Sequence, residues 1–277
     1  MTNWLITGVS GGLGKALAEA ALGRGDLVYG TVRKTADLEA FEALAPGRAR
    51  GRLLDVSDDA TVRTVVDAAE SGSGGLDILV NNAGYGLIGA VEEASLAEIR
   101  AQFEVNVFGP IVAIQAVLPY FRERRAGHII NVTSVSGVAA WAGTGIYTGS
   151  KFALEGVTQT LAQEVADFGI KVTNIEPGGM RTDYAGRSLA ETAHKIDAYE
   201  ASAHAAKRIL GEHAGHESGD PARCAKAILA IAGIDNPPLQ LLLGADALHY
   251  ATAKLGHYTT EIGQWASLTL STAYPKD

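Results

Sequence analysis

Tyr147 and Lys151 stand four residues apart in the run Tyr147-Thr148-Gly149-Ser150-Lys151, a spacing that puts a phenol and an ammonium on one face of a helix. A positive charge nearby lowers the cost of ionising a phenol whose reference pKa is about 10. Tyr147 can then give or take a proton near neutrality, which is what interconverting a carbonyl and an alcohol requires. A second pair at the same spacing, Tyr250 and Lys254, lies near the C-terminus. Company separates the two. Ser134 closes the fifth apolar run of the chain, in Asn131-Val132-Thr133-Ser134, and open α/β sheets present functional side chains at such strand ends. Pro237 takes the corresponding place before Tyr250, so Tyr250 and Lys254 are expected to be a solvated helix pair.

The other chemistry-bearing run is Thr7-Gly8-Val9-Ser10-Gly11-Gly12-Leu13-Gly14, which follows the first apolar run directly and opens a helical one. Glycines there permit a tight turn and close approach of a pyrophosphate, and the helix start offers free N–H groups and a positive dipole end. The similar stretch 144–151 carries Lys151 where the third glycine would stand and follows the fifth run, so position favours the first. The second apolar run ends in Val32-Arg33-Lys34, where an NAD-selective site carries Asp or Glu. A carboxylate would repel a 2′-phosphate, whereas a guanidinium holds it in a forked geometry. Arg33 therefore predicts preference for NADP(H), with NAD(H) also admitted.

These residues need a scaffold. Short aliphatic runs at 4–7, 27–32, 52–56, 78–81, 128–133, 172–175 and 239–243 alternate with stretches whose apolar residues recur three and four apart. That alternation predicts one α/β domain, a Rossmann fold with a doubly wound, parallel, seven-stranded sheet and helices on both faces. Ser95-Leu96-Ala97-Glu98 reads as a capping box opening a helix that runs to about Arg125. Pro110 inside it has no N–H, which leaves the carbonyl of Asn106 unpaired and predicts a kink. The segment 182–219, with weak helical signal over 189–210, follows a late strand where such sheets place a substrate lid. Residues 245–277 read as a helical tail, with one or two helices over 245–270.

Composition narrows the classes. Of 277 residues, 47% are hydrophobic and 19% charged, which suits a globular core. A formal net charge of −8 is the wrong sign for collecting nucleic-acid phosphates or anionic lipid. Cys224 is the one cysteine, so no intrachain disulfide forms, no Cys/His cluster has zinc spacing, and no metal is expected. The start Met-Thr-Asn-Trp lacks the cationic region of a signal peptide, and no run is expected to reach membrane-spanning length. A cytoplasmic protein is expected.

With Thr7–Gly14, Asn81-Asn82-Ala83-Gly84, Asn106, Ser134, Tyr147/Lys151 and Pro177-Gly178-Gly179-Met180-Arg181-Thr182 in order, residues 1–182 resemble the short-chain dehydrogenase/reductase family. The run Val28-Tyr29-Gly30-Thr31-Val32-Arg33 and the long segment after Thr182 are similar to its retinol and 17β-hydroxysteroid dehydrogenase branch. The resemblance implies that Gly8, Ser10, Gly12 and Leu13 hold the cofactor pyrophosphate and that Asp55 and Val56 flank the adenine. It places Asn82, Ala83 and Gly84 along the riboses, with Pro177, Gly178, Met180 and Thr182 completing the cofactor site. It selects Ser134, thirteen residues before Tyr147, to hydrogen-bond the substrate oxygen. Tyr147 would exchange the proton, Lys151 would lower the tyrosine pKa and bind the nicotinamide ribose, and Asn106 would hold a water leading to solvent. Tyr85, Val138, Trp141, Met180 and Tyr184 are candidates for an apolar substrate wall. At Gly11 the chain lacks the basic residue that some NADP-dependent members carry, leaving Arg33 and Lys34 to read the phosphate. The implied activity is transfer of hydride between nicotinamide and an apolar ketone or aldehyde, by a homodimer or homotetramer. The alternatives are an NADP-binding sensor without turnover and a redox-neutral isomerase or dehydratase.

Overall fold

The computed structural model describes residues 1–182 and 188–274. Seven strands form one parallel sheet: β1 (Asn3–Ile6), β2 (Leu27–Val32), β3 (Ala49–Leu53), β4 (Ile78–Asn81), β6 (Gly127–Val132), β7 (Ile170–Pro177) and β9 (Gln240–Leu243). Their order is β3-β2-β1-β4-β6-β7-β9. β2 is buried along its whole length, as expected where helices cover both faces. On one face α3 (Asp59–Ser73), α5 (Gly109–Arg124) and α6 (Gly145–Val165) close a core around Leu5, Leu79, Val117, Phe121 and Ile129. On the other, α1 (Gly12–Gly23), α2 (Thr35–Glu42) and α8 (Pro221–Ala232) pack on Trp4, Ile6, Val28, Val80 and Ile130. The chain runs outward from β1 to β3 and returns to β4 on the other side of β1. This reversal is the topological switch point, and it opens a crevice beyond the carboxyl ends of β1 and β4. The expected seven-stranded Rossmann architecture is the one observed.

Three local expectations are corrected. The third strand lies at Ala49–Leu53 rather than 52–56. Its inward residues Ala49 and Gly51 are small because α2 lies against them, and a Cβ on Gly51 would stand 2.6 Å from Leu38 Cγ. Asp55 and Val56 thus lie in the loop beyond the strand.

The helix opened by Ser95 does carry its capping box, worth about 1 kcal/mol, and ends at Arg125 in the left-handed region. It runs as α4 (Leu96–Phe103), then a π-helical turn, Glu104–Phe108, just before Pro110, then α5. The extra residue per turn accommodates the missing proline N–H one turn early. This Leu96–Arg124 stretch is also long and apolar enough to cross a membrane by length and composition, contrary to expectation, and 56% of its most apolar window is buried inside the protein.

After Thr182 the segment read as weakly helical begins instead with β8 (Leu189–Glu191), which pairs in parallel with β5 (Gly86–Ile88) as a separate two-stranded sheet. A 3-10 turn (Asp197–Tyr199) and α7 (Ala205–His213) follow. Finally, the tail is a single helix, α9 (Ala245–Ser271), of 27 residues.

Candidate active site

The glycine-rich loop is shaped by its neighbours across the crevice. Gly8 and Gly12 have φ of 75° and 57°, the left-handed region that glycine adopts freely. The Thr7 hydroxyl accepts from the N–H groups of Asn82 and Ala83 at 2.9 and 3.0 Å. The Asn82 side chain returns to donate to the carbonyls of Thr7 and Gly8, at 2.8 and 3.0 Å. Asn82, expected to line a ribose, spends its amide on the loop. Helix α1 begins with no side-chain cap and no acidic residue in its first turn, so its first N–H groups stay available to an anion. Ser10 is exposed above them, while the Leu13 side chain is core and only its backbone faces the loop.

The loop after β7 closes the cradle from the far side. A Cβ on Gly12 would sit 3.7 Å from Thr182 Cγ2, which places Thr182 over the glycine-rich turn. Pro177 ends β7, and Met180 is half-buried and bridges to Gly219. Gly178 donates to the Leu243 carbonyl at 2.9 Å and has no room for a side chain, since its Cβ would meet the Asp246 carboxylate at 2.3 Å. Asp246 in turn accepts from the Gly179 N–H at 2.7 Å. Thr7 and Asp246 were not singled out as site residues in the sequence. A hydroxyl ending β1 and a carboxylate in the first turn of α9 are the signals that could have found them.

At the end of β2, Arg33 and Lys34 are exposed. The Asp55 carboxylate accepts from the Ser57 N–H and hydroxyl at 3.0 and 2.7 Å. Those bonds first, and the Arg33 charge to a smaller degree, hold its pKa below the usual range. Val56 is buried against Gly109 at the start of α5.

Tyr147 and Lys151 share the first turns of α6. Lys151 is buried, donates to the Val132 carbonyl at 2.9 Å, and its Nζ lies 5.8 Å from the Tyr147 ring centroid. Burial pushes its pKa down to about 8, against the field of Glu155. Ser134 follows Val132 by two residues, buried, and its Oγ accepts from the Ser136 N–H at 3.0 Å. Gly84 faces this group: a Cβ there would stand 3.1 Å from Asn106 Oδ1 and 3.6 Å from Lys151 Nζ. Asn106, on the π turn, donates to the Tyr85 carbonyl at 3.0 Å and to Ser150 Oγ at 3.1 Å, and accepts from the Tyr85 N–H at 3.2 Å. With Gln102, which donates to the same carbonyl at 2.8 Å, it fixes Tyr85 at the crevice. Asn106 therefore acts on the scaffold through three side-chain bonds that sequence reasoning missed.

Trp141 is half-buried, its ring edge-on to Tyr250 of α9 with centroids 5.3 Å apart. Tyr250 and Lys254 are both exposed, as expected of a solvated pair; the Tyr250 ring also meets Trp141, and Lys254 lies over the Tyr258 ring at 5.9 Å. Tyr184, a candidate for the substrate wall, lies outside the described residues. No cluster of metal ligands occurs among the described residues.

The segment following β8 is fastened beside the site by Glu93. This buried carboxylate accepts from the N–H groups of Ala90 (2.8 Å) and Ile196 (2.6 Å) and faces His204 Nε2 at 2.6 Å. Burial alone would raise its pKa, but these partners hold it down to about 2. Hydrogen bonds to Glu200 and Glu93 raise that of His204. A raised histidine pKa stabilises fully below the unfolded value and loses that contribution as pH rises through the folded value. We expect limited proteolysis between residues 193 and 213 to quicken as pH climbs above neutrality, and Glu93→Gln to be cut several-fold faster already at pH 7. Equal cleavage of both proteins at every pH would show that the contact does not fasten the segment.

The family model of short chain dehydrogenases matches residues 2–193. Oxidoreductase BOA17 of Botryotinia fuckeliana is 38% identical over 271 residues, covering 98% of each chain. Human retinol dehydrogenase 8 is 37% identical over 193 residues, 68% of this chain and 62% of that one. Among solved structures, a short-chain dehydrogenase from Streptomyces avermitilis superposes with a TM-score of 0.92 at 38% identity, over 99% of this chain and 100% of that one. ElxO with NADP bound gives 0.74 at 25% identity, over 90% and 99%. The chain belongs to the short-chain dehydrogenase/reductase family, resembling its retinol dehydrogenase branch, and is a nicotinamide-dependent oxidoreductase.

Proposed function

We propose that the protein is an NADP(H)-dependent reductase or dehydrogenase of an apolar ketone, aldehyde or secondary alcohol. The observation that carries this reading is the buried Lys151 held between the Val132 carbonyl and Gly84, with the Tyr147 ring 5.8 Å from its ammonium. The cradle fits a dinucleotide: a cap-free helix start, two left-handed glycines, and a Gly84 whose missing Cβ leaves space beside Lys151. When bound, the nicotinamide supplies or accepts the hydride. The chain's own residues manage the oxygen and its proton. Ser134 and Tyr147 hold the substrate oxygen, and the phenol donates its proton as charge develops there, or takes it back in oxidation. The Lys151 ammonium favours the phenolate left behind. Trp141, Tyr85 and Tyr250 form the apolar approach, and the segment 188–219 serves as lid.

The test is NADPH oxidation across aliphatic aldehydes, cyclic ketones, steroids and retinal. Oxidation that follows one carbonyl class supports the reading. No oxidation with any of them, together with an NADPH-induced rise in Tm, would favour a sensor. Arg33 carries the cofactor preference. Arg33→Asp removes a charge-assisted bond and adds a repulsion, so the NADPH/NADH ratio of kcat/KM is expected to fall about 100-fold. An unchanged ratio would remove Arg33 from the cofactor site. A homodimer or homotetramer is part of the proposal; α5 and α6 offer a shallow groove of about 430 Å³ lined by Ile111, Ile114, Leu118, Val157 and Leu161.

A further inference from the structure

One helical turn beyond Lys151, α6 carries a second ionisable group into the interior. Glu155 is 3% exposed, and Glu176, on β7, is 2% exposed. Three carboxamides converge on one oxygen of Glu155: Asn174 Nδ2 at 2.6 Å, Gln240 Nε2 at 3.2 Å and Gln159 Nε2 at 3.3 Å. The same Gln240 nitrogen also donates to Glu176 Oε1 at 2.8 Å, so one amide on β9 bridges the two carboxyl groups. The other oxygen of Glu155, Oε1, is buried without a hydrogen-bond donor. Gly137, in the turn after Ser134, leaves the space this side chain fills: a Cβ there would stand 2.8 Å from Glu155 Cγ and 3.5 Å from Oε1. The pair therefore sits directly under the loop that presents Ser134 and one turn below the Tyr147–Lys151 couple.

Lys151 on α6 and Glu176 on β7 are the charged groups that face Glu155; Gln159, Asn174 and Gln240, from α6, β7 and β9, are uncharged. Two ionised carboxylates this close in the interior would repel with little solvent to screen them. One proton between them replaces the repulsion with a hydrogen bond. The arrangement then retains one negative charge, within reach of an ammonium that burial would otherwise drive toward its neutral form.

We propose that Glu155 and Glu176 hold a single proton between them, and that the one charge they keep maintains the buried Lys151 as an ammonium, making them positioning residues for proton transfer at Tyr147. The proposal rests on the reading of Tyr147 and Lys151 as the proton-transfer pair. Its stability arm stands apart from that reading.

That arm is the melting temperature of wild type and Glu176→Gln from pH 5 to pH 8, without cofactor or substrate. Burial first, and the Glu155 charge next, push Glu176 up to about 7. A carboxyl raised in the folded state stabilises fully below its unfolded value, near 4.5, and that contribution is lost as pH rises through about 7. Glutamine keeps the shape and a donor and removes the titration. The Tm of Glu176→Gln relative to wild type is therefore expected to rise by about 5 °C across this range. A difference that stays constant with pH would overturn the shared proton, and because it is a difference, the histidines and Glu93 cancel from it.

The second arm is the pH profile of carbonyl reduction. Glu155→Gln removes the charge beneath Lys151, so the alkaline limb of kcat/KM, set by loss of the lysine proton, is expected to move down by about one pH unit. Glu155→Asp restores a charge at the same place and is expected to bring the limb back toward wild type. A Glu155→Gln profile superimposed on that of wild type would overturn the link to Lys151. If wild type reduces none of the carbonyls, the functional reading fails, while the melting comparison still decides the proton.

Discussion

Tyr147→Phe is expected to lower kcat for carbonyl reduction by about 10³-fold, the scale of a lost general acid, while the dissociation constant for NADPH stays within about twofold. The substitution removes one oxygen and keeps the ring, so the packing of α6 and the position of Lys151 are retained. Lys151 is anchored independently, through its bond to the Val132 carbonyl, and Asn106 holds this part of α6 through Ser150. What disappears is the proton that must reach the substrate oxygen as hydride arrives. Neither Ser134, an alcohol far less acidic than a phenol, nor the Lys151 ammonium, buried behind the phenol, can take its place. Steady-state turnover and an NADPH fluorescence titration on the same preparation provide the check. A variant keeping a tenth of wild-type turnover would mean that another group donates the proton.

The second large effect is expected at Gly14. A Cβ there would fall 2.3 Å from Asn82 Nδ2 and 2.4 Å from the Gly8 carbonyl oxygen, distances no folded chain tolerates. Helix α1 can approach the loop after β4 this closely because Gly14 has no side chain. Gly14→Val would push Asn82 off the Thr7 and Gly8 carbonyls it now bridges, leaving buried polar groups without partners and spreading the cradle. Overpacking and unpaired hydrogen-bonding groups each cost about 1–3 kcal/mol, so a loss of roughly 3–5 kcal/mol in folding stability is expected. Denaturant titration measures it. The NADPH-induced rise in Tm is expected to vanish as well, since the N–H groups facing the pyrophosphate would no longer converge. Gly14→Val with wild-type stability and cofactor response would show that the loop does not depend on this approach.

Much of this architecture could be read from local signals. Apolar runs bounded by glycine gave β1, β2, β4 and β6 nearly to the residue, because strands buried on both faces have few sequence alternatives. β3 was displaced because its inward residues, Ala49 and Gly51, are too small to register as apolar, and their size answers to Leu38 across the interface. β8 was unreadable because three residues that pair with β5 a hundred positions away carry no period of their own. The site showed the same division. Tyr147, Lys151, Ser134 and the glycine-rich loop announced themselves by type and spacing. Asp246 on Gly179, Thr7 on Asn82 and Glu93 on His204 did not, because each joins segments at least 67 residues apart. Tyr250 is exposed, as its sequence context implies, and its contact with Trp141 comes only from the return of α9 over the turn after Ser134.

The position of β1 in the middle of the sheet also governs how the molecule comes into being. Trp4 pairs with Val28 on one side and with Ile78 on the other, so the half of the sheet that carries the glycine-rich loop is complete once β1, β2 and β3 have been made. Each later strand is then added at one growing edge in the order of synthesis, β4, β6, β7 and β9. A ribosome releasing the chain from its N-terminus thus adds strands to an existing template rather than waiting for distant partners. Refolding from denaturant has no such schedule: every pairing must close its loop against chain entropy, which makes parallel sheets slow to form. The glycine-rich loop consequently gains its flanking strands first, while Tyr147, on the helix between β6 and β7, and Thr182, beyond β7, reach their places only after most of the sheet exists.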